Sequence, residues 1–175
     1  MKQVIVIGTF KGREDWSTEC VRSCLNKKYE VVTIFNNKFE LSHIKEAYKR
    51  GYDEFLYLHD TCVIKDKRIF DIVFEEQKGR SVALSDYPSI FGMYLGKYTK
   101  EGLKLSKIPK ANSKLQAVQY EKSWTVKYAG NTPTVVLNPP LRDGNNFVTI
   151  RGKMYMKLEN DFIIKYKGTW NRSMI

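Results

Sequence analysis

The sequence predicts an α/β domain in which a mostly parallel sheet is flanked by helices and followed by a β-rich, basic second half. Strand and helix patterns alternate through residues 1–96, hydrophobic residues make up 42% of the chain, and residues 97–175 hold a large excess of basic residues. A chain of 175 residues suits one domain with a single core. We therefore treat residues 1–175 as one domain with two halves.

The first half alternates short apolar runs with segments of helical periodicity. We predict strands at residues 4–8, 30–35, 54–59 and 81–84. We predict helices at residues 14–28, 41–50 and 68–77. In the first helix, Trp16, Cys20 and Cys24 recur at helical spacing. This β-α-β order predicts a mostly parallel sheet covered by helices.

The second half shows mainly strand patterns separated by turn residues. We predict strands at residues 91–98, 119–129, 132–137, 153–158 and 162–166. Residues 97–114 are rich in lysine and contain Pro109, which predicts a loop or a short broken helix. Turns are expected at residues 139–140 and 143–146.

The three cysteines and the N-terminal segment bear on where the protein resides. An odd number of cysteines without a secretion signal favours reduced thiols, and we expect Cys20, Cys24 and Cys62 to be buried structural residues. The first apolar run is too short for a signal peptide, and no run is long enough to span a bilayer. We expect a cytoplasmic protein, in the host cytoplasm if the source is a virus.

The net charge of +11 is unevenly distributed along the chain. Residues 1–96 hold 15 Lys or Arg against 14 Asp or Glu, whereas residues 97–175 hold 15 against 5. Such asymmetry predicts an anionic partner for the second half: nucleic acid, an anionic lipid surface or a diphosphate. The alternative is a basic surface that only keeps the protein soluble.

The ends of the first three predicted strands carry the polar residues of interest. Ligands of open α/β sheets bind beyond the carboxyl ends of the strands. Here those ends are residues 9–14, 36–38 and 59–61. Neither a G-x-G-x-x-G nor a Walker A pattern occurs at the first, which disfavours a Rossmann dehydrogenase and a P-loop NTPase.

In order and spacing, these segments resemble family 2 glycosyltransferases, which have the GT-A fold. The opening TFKGRE of residues 9–14 resembles that family's Thr-Tyr-Asn-Arg-Glu. Residues 20–32 resemble its first helix and second strand, and residues 47–60 resemble the Ala-x-x-x-Gly helix end before its Asp motif. The resemblance covers Val4 to Thr61. It implies a GT-A-like fold and transfer of a sugar from a nucleotide-diphosphate donor to an acceptor hydroxyl.

The resemblance also implies a metal site at the end of the third strand. A divalent ion, Mn²⁺ or Mg²⁺, stabilises the leaving diphosphate and prefers oxygen ligands. The family's Asp-x-Asp motif is represented by His59 and Asp60, so Asp60 is the expected metal ligand. For His59 we expect one of two roles, orienting Asp60 or binding metal or phosphate. The alternative for Asp60 is a turn or capping residue.

We expect the nucleotide-sugar to bind at the strand ends and beneath the last strand. At the first two strand ends the candidates are Thr9, Phe10, Asn36 and Asn37. The family usually has a base-reading Asp after the second strand, and an amide at Asn36 offers both a donor and an acceptor instead. Near the C-terminus, Lys165 and Lys167 alternate with aromatic residues up to Trp170. They are expected to lie on one side of a strand and close over the diphosphate, or else to protect an edge strand.

An inverting transfer also needs a carboxylate base for the acceptor hydroxyl. The family's base lies in the second half, where the best matching stretch gives Asp161 as first candidate and Glu159 as second. Asp86, after the fourth strand, is the third. The alternative for each is a solvated turn carboxylate.

Two other functions remain open from the sequence. The first is a nucleic-acid-binding module, because aromatic residues are interleaved with the basic ones of the second half. These aromatics are Tyr98, Tyr120, Trp124, Tyr128, Tyr155, Tyr166 and Trp170. The nucleic-acid-binding and enzymatic functions coincide if the acceptor is DNA, as in viral enzymes that glycosylate modified bases. A short chain suits a viral enzyme. The second is a catalytically degenerate, transferase-like binding protein.

Overall fold

The computed structural model describes residues 1–87 and 89–168, with residues 143–145 described as backbone only. Nine strands form one sheet: β1 Gln3–Thr9, β2 Glu30–Phe35, β3 Glu54–His59, β4 Cys62–Ile64, β5 Ser81–Ser85, β6 Gly96–Thr99, β7 Thr134–Ile150, β8 Lys153–Glu159 and β9 Ile163–Gly168. The α-helices are α1 Glu14–Cys24, α2 Glu40–Lys49, α3 Arg68–Asp71, α4 Lys100–Ser106 and α5 Lys114–Asn131. A π-helical turn, Ile72–Glu76, continues α3.

The sheet is mixed, so the prediction of a mostly parallel sheet is wrong. Its strand order is β2-β1-β3-β6-β5-β7-β8-β9-β4. β1 pairs in parallel with β2 and β3, and β5 pairs in parallel with β7. β6 is antiparallel to both of its neighbours, and β7, β8, β9 and β4 form an antiparallel series. The helical crossovers that parallel pairing requires are present mainly in the first half.

The antiparallel series follows from short connections in the second half. β7 and β8 are joined by Arg151 and Gly152, which have φ values of 51° and 76°. Two consecutive residues with positive φ form the tight turn whose twist matches that of a β-hairpin. Between β8 and β9, the Asn160 side chain accepts hydrogen bonds from the backbone N–H groups of Phe162 and Ile163, both at 2.9 Å. Neither connection leaves room for a crossover helix.

The largest error in the sequence prediction lies at residues 119–129, which form part of helix α5 rather than a strand. Its buried residues are Ala117, Trp124, Thr125 and Tyr128, at a spacing that fits a helix. The hydroxyl of Ser113 caps the helix by accepting from the N–H of Gln116 at 3.2 Å. Aromatic and β-branched residues in this segment suggested a strand, but its buried side chains recur with the period of a helix.

Smaller corrections concern the segments on either side of α5. Of residues 91–98, predicted as a strand, only the last part belongs to β6, and Gly92–Tyr94 forms a 3₁₀ turn. The turns expected at residues 139–140 and 143–146 lie within β7, which is irregular there. The lysine-rich segment contains α4, in agreement with the short-helix alternative.

The side chains of the central strands alternate between two cores. Ile5 and Ile7 of β1 pack with α1 and α3 on one face of the sheet. Val4 and Val6 pack with α2, α4 and α5 on the other. All three cysteines are buried and unbridged. With both faces covered, the edge formed by the carboxyl ends of β1 and β3 remains open for a site.

Candidate active site

A cleft of about 700 Å³ opens at the carboxyl ends of β1 and β3. One wall consists of these strand ends and the start of α2, and the other consists of α5 and β9. The basic residues that line it, among those described, are Arg13, Lys38, Lys114, Lys122, Lys165 and Lys167. The carboxylates that line the same described surface are Glu40 and Glu121. This excess of cations makes the cleft suitable for a polyanionic ligand.

Asp60 lies directly behind the first wall and is fully paired. Its side chain has no exposed surface. Thr9 donates its hydroxyl to Oδ2 at 3.0 Å, and Nη1 of Arg13 donates to Oδ1 at 3.0 Å. Burial raises the pKa of Asp60, and the nearby charges of Arg13 and Lys165 oppose that rise. Asp60 thus holds Arg13 against the cleft wall.

Lys165 reaches from β9 across to the end of β3. Its ammonium contacts the hydroxyl of Thr61 and lies 2.9 Å from Nδ1 of His59. An ammonium only donates, so Nδ1 accepts and the proton of His59 is on Nε2. Burial, and then the charge of Lys165, hold the pKa of His59 well below its usual range. Burial likewise lowers the pKa of Lys165.

The other donor-site candidates at the strand ends shape the loops around the cleft. Asn37 lines the cleft and accepts the N–H of Lys11 at 3.0 Å, whereas Asn36 is behind it and donates to the hydroxyl of Ser42 at 3.2 Å. Phe10 lines the cleft and packs against His43, with 4.8 Å between the ring centroids. The guanidinium of Arg13 lies 5.7 Å from the centroid of Phe10.

β9 brings two of the predicted lysines into the cleft. Lys165 and Lys167 both line it, on the same side of the strand. The ammonium of Lys167 also lies 5.4 Å from the centre of the Tyr87 ring. Trp170, the end of the predicted closing segment, lies outside the described residues.

The three carboxylates predicted as bases lie outside the described cleft lining. Glu159 forms ion pairs with Lys65 at 2.6 Å and with Lys157 at 3.1 Å. Asp86 is paired with Arg142 at 2.9 Å, and Asp161 is exposed between β8 and β9. The structure therefore does not bring these three residues together with Lys165 and Lys167.

Glu121 is a cleft carboxylate that the sequence did not indicate. It lies on α5 and accepts the backbone N–H of Met93 at 2.9 Å. Met93 is held in a left-handed conformation with φ of 58°. Burial raises the pKa of Glu121, partly opposed by the Met93 hydrogen bond and by Lys167. The sequence feature that could have indicated Glu121 is its helical spacing from Ala117 and Tyr128, because this spacing places Glu121 on the inner side of a helix.

The residues around Asp60 do not fit a divalent metal ion. Each oxygen of Asp60 already has a partner, and Arg13 occupies the side that faces the cleft. Among the residues described, no three or more His, Cys, Asp or Glu side chains are grouped closely enough to hold a metal. An ion at Asp60 would have to displace Arg13 and would meet the charge of Lys165.

The basic surface outside the cleft offers less aromatic area than the sequence suggested. Tyr98, Trp124 and Tyr128 are buried and stack on one another in the core. Lys100, Lys104, Lys107 and Lys110 are exposed on this surface, and Lys114, also exposed, lies where the segment reaches the cleft. The surface therefore retains its charge, but three of the predicted stacking residues are inaccessible. No helix in the described part of the chain has the length and apolar character needed to cross a bilayer.

Comparison with known proteins reveals similarity at the level of the fold. No protein-family model and no curated protein sequence matches the chain. The crystal structure of A197 from STIV matches with a TM-score of 0.53 and 10% identity, over 97% of this chain and 96% of that one. The crystal structure of S. aureus TarS matches with a TM-score of 0.49 and 15% identity, over 78% of this chain and 35% of that one. The A197 match shows a shared fold over nearly the whole chain.

Proposed function

We propose that the protein is a glycosyltransferase that binds a nucleotide-diphosphate sugar in the cleft and transfers the sugar to an acceptor hydroxyl. The observation that carries the proposal is the cleft itself, a basic cavity at the carboxyl ends of parallel strands. The sequence resemblance over Val4–Thr61 supplies the reaction class, because its segments end at this cleft.

Different residues of the cleft would contact different parts of the donor. Arg13, Lys165 and Lys167 would contact the diphosphate, since a guanidinium and two ammonium groups meet there. The nucleoside would then lie toward Phe10 and Asn37 at the ends of β1 and β2. Asn36 would support that loop, because its amide is hydrogen-bonded to Ser42.

We propose Glu121 as the base of the transfer. In a single displacement, the acceptor oxygen attacks the anomeric carbon and the bond from that carbon to the diphosphate oxygen breaks. The electron pair leaves with the diphosphate, and the hydroxyl proton passes to Glu121. A carboxylate with a raised pKa is a better proton acceptor at neutral pH than an ordinary one. Asp161, Glu159 and Asp86 remain predictions from the sequence that would require the acceptor to approach outside the cleft.

The Mn²⁺ or Mg²⁺ expected from the sequence remains a prediction without structural support. His59 and Asp60 are occupied by Lys165 and Arg13, so no step of the proposed transfer is assigned to a metal ion. His59, with its proton on Nε2, serves here to position Lys165.

A thermal-shift screen of nucleoside diphosphates and their sugars tests the proposal. A ligand at about 100 times its Kd adds about 2.7 kcal/mol of stability. We expect one nucleotide class to stabilise the protein, and Lys167→Ala to reduce the effect. Lys127→Ala, which removes a charge outside the cleft, should leave it unchanged. If no nucleotide stabilises the protein, the donor assignment is wrong.

Nucleic acid or an anionic membrane surface is proposed as the partner of the basic second half, either as acceptor or as an independent ligand. The supporting observation is the exposure of the five lysines between Lys100 and Lys114. Affinity for DNA should fall by roughly one logarithmic unit per unit of log salt for each phosphate neutralised. Titrations with duplex DNA, single-stranded DNA and anionic vesicles across a salt series distinguish these partners. Measuring donor hydrolysis then separates an enzyme from a degenerate binding protein.

A further inference from the structure

We infer that Arg13 and Lys165, rather than a divalent metal ion, supply the positive charge that holds the donor diphosphate, and that Asp60 is the residue that positions Arg13. The inference rests on the proposed donor site and concerns how that site binds its anion. It reverses the expectation, implied by the sequence resemblance, that Asp60 coordinates a metal.

Asp60 is buried and already paired. A carboxylate that binds a metal ion must present an oxygen to that ion, but the side chain of Asp60 is entirely buried. Thr9 and Arg13 occupy its two oxygens. This arrangement is that of an anchoring carboxylate, which fixes a cation instead of presenting a negative charge to the cleft.

Arg13, in contrast to Asp60, is partly exposed to the cleft. Its side chain is 37% exposed and lines the cleft, although one nitrogen is bound to Asp60. A guanidinium has five N–H donors in a fixed plane, so it binds a carboxylate and a phosphate at the same time. Packing near the Phe10 ring restrains the same group from a second direction. Arg13 is therefore preorganised to meet an anion in the cleft.

The contacts of Lys165 also favour an anion over a metal ion in the cleft. The residue is only 5% exposed, and the contacts described for its ammonium are with the hydroxyl of Thr61 and the ring of His59. Within the described residues, no carboxylate lies in salt-bridge distance of it. Buried charges in proteins are normally paired. An anion bound in the cleft would complete this site, whereas a metal ion beside it would be repelled.

The experiment is a calorimetric titration with inorganic pyrophosphate and with the nucleoside diphosphate selected by the screen. Each titration is run in EDTA and in excess Mn²⁺. We expect the dissociation constants in the two conditions to agree within about twofold. Arg13→Gln and Lys165→Met should each weaken binding tenfold or more, and Lys127→Ala should change it less than twofold. Because Lys165 is buried, the exposed Arg13 variant keeps the test valid if Lys165→Met fails to fold.

The outcomes separate this inference from the proposed function. Binding that appears only with Mn²⁺ and is lost in Asp60→Asn would overturn the inference and leave the donor site intact. Binding that is equal in EDTA and Mn²⁺ but unaffected by Arg13→Gln would overturn the role of Arg13. Absence of nucleotide binding in both conditions would overturn the inference together with the proposed function.

Discussion

The two walls of the cleft differ in how their charged groups are held. On the wall formed by β1 and β3, Asp60 is buried and locked to Thr9 and Arg13. On the wall formed by α5 and β9, the hydrogen bond described for the Glu121 carboxylate comes from the Met93 backbone, and Lys167 lies against the Tyr87 ring. The comparison suggests two roles: the rigid first wall, with Lys165 of β9 held against the end of β3, suits the donor, and α5 offers a titratable carboxylate to the acceptor.

The largest expected effect concerns the second wall. Glu121→Gln should lower turnover by about 10²- to 10⁴-fold with little change in donor affinity, because general-base catalysis contributes about that much. The limb of the pH–rate profile that reports the base should disappear as well. Measurement of kcat, donor Kd and the pH profile checks this.

Asp161→Asn is the matched control for Glu121→Gln, since Asp161 is the base predicted from the sequence. We expect its turnover to stay close to that of the unmodified protein. If Asp161→Asn loses activity while Glu121→Gln keeps it, the base lies outside the cleft and the second wall has another role.

A second effect distinguishes the buried central strands β3 and β6 from the more exposed strand β8 of the same sheet. Lys97 and Glu54 form an ion pair at 3.1 Å with side chains 0% and 3% exposed. Lys97→Met leaves Glu54 buried without its cation, so we expect a loss of about 3–5 kcal/mol in the free energy of unfolding. Lys157→Met removes one of the two cationic partners of the exposed Glu159 and should cost about 0–1 kcal/mol. Equal losses of stability in urea unfolding would show that these two regions of the sheet do not differ in this way.

The smallest effect is a pH dependence of stability that originates at His59. Its lowered pKa means that the unfolded chain binds more protons than the native state below about pH 6.5, so stability falls as the pH is lowered. At pH 5.5 the loss is at most about 1.4 kcal/mol for one histidine.

Burial also lowers the pKa of His43, so the two histidines must be replaced in separate variants. His59→Asn should reduce the stability difference between pH 7.5 and pH 5.5, measured by urea unfolding, and His43→Asn should reduce it separately. An unchanged difference in His59→Asn would mean that the pKa of His59 is the same in the native and the unfolded state, which would contradict this prediction.

The sequence predicted the first wall better than the second for a physical reason. The strands at residues 30–35 and 54–59 are found at those bounds, because short apolar runs flanked by helices have few alternatives. α5 has aromatic and β-branched residues at positions that also fit a strand, so only the three-dimensional packing of Trp124 and Tyr128 reveals its helical period.

The same limit applies to the site residues. Lys165 and Lys167 were predicted from their alternation with aromatic residues, and both line the cleft. The pairing of Asp60 with Arg13 has no signature in the sequence, since it depends on how the residues after β1 fold back over the end of β3. Likewise, Glu121 enters the cleft only because α5 packs across the sheet.

Mapping the bound donor by NMR tests the central claim most directly. A 20.5 kDa chain suits backbone amide spectra, and the selected nucleotide-sugar would be titrated into the labelled protein. We predict that the largest chemical-shift changes fall on amides of the cleft, namely those of Arg13, Asn37, Thr61 and Gly168. Changes confined to the exposed segment from Lys100 to Lys110, with the cleft amides unmoved, would contradict the account.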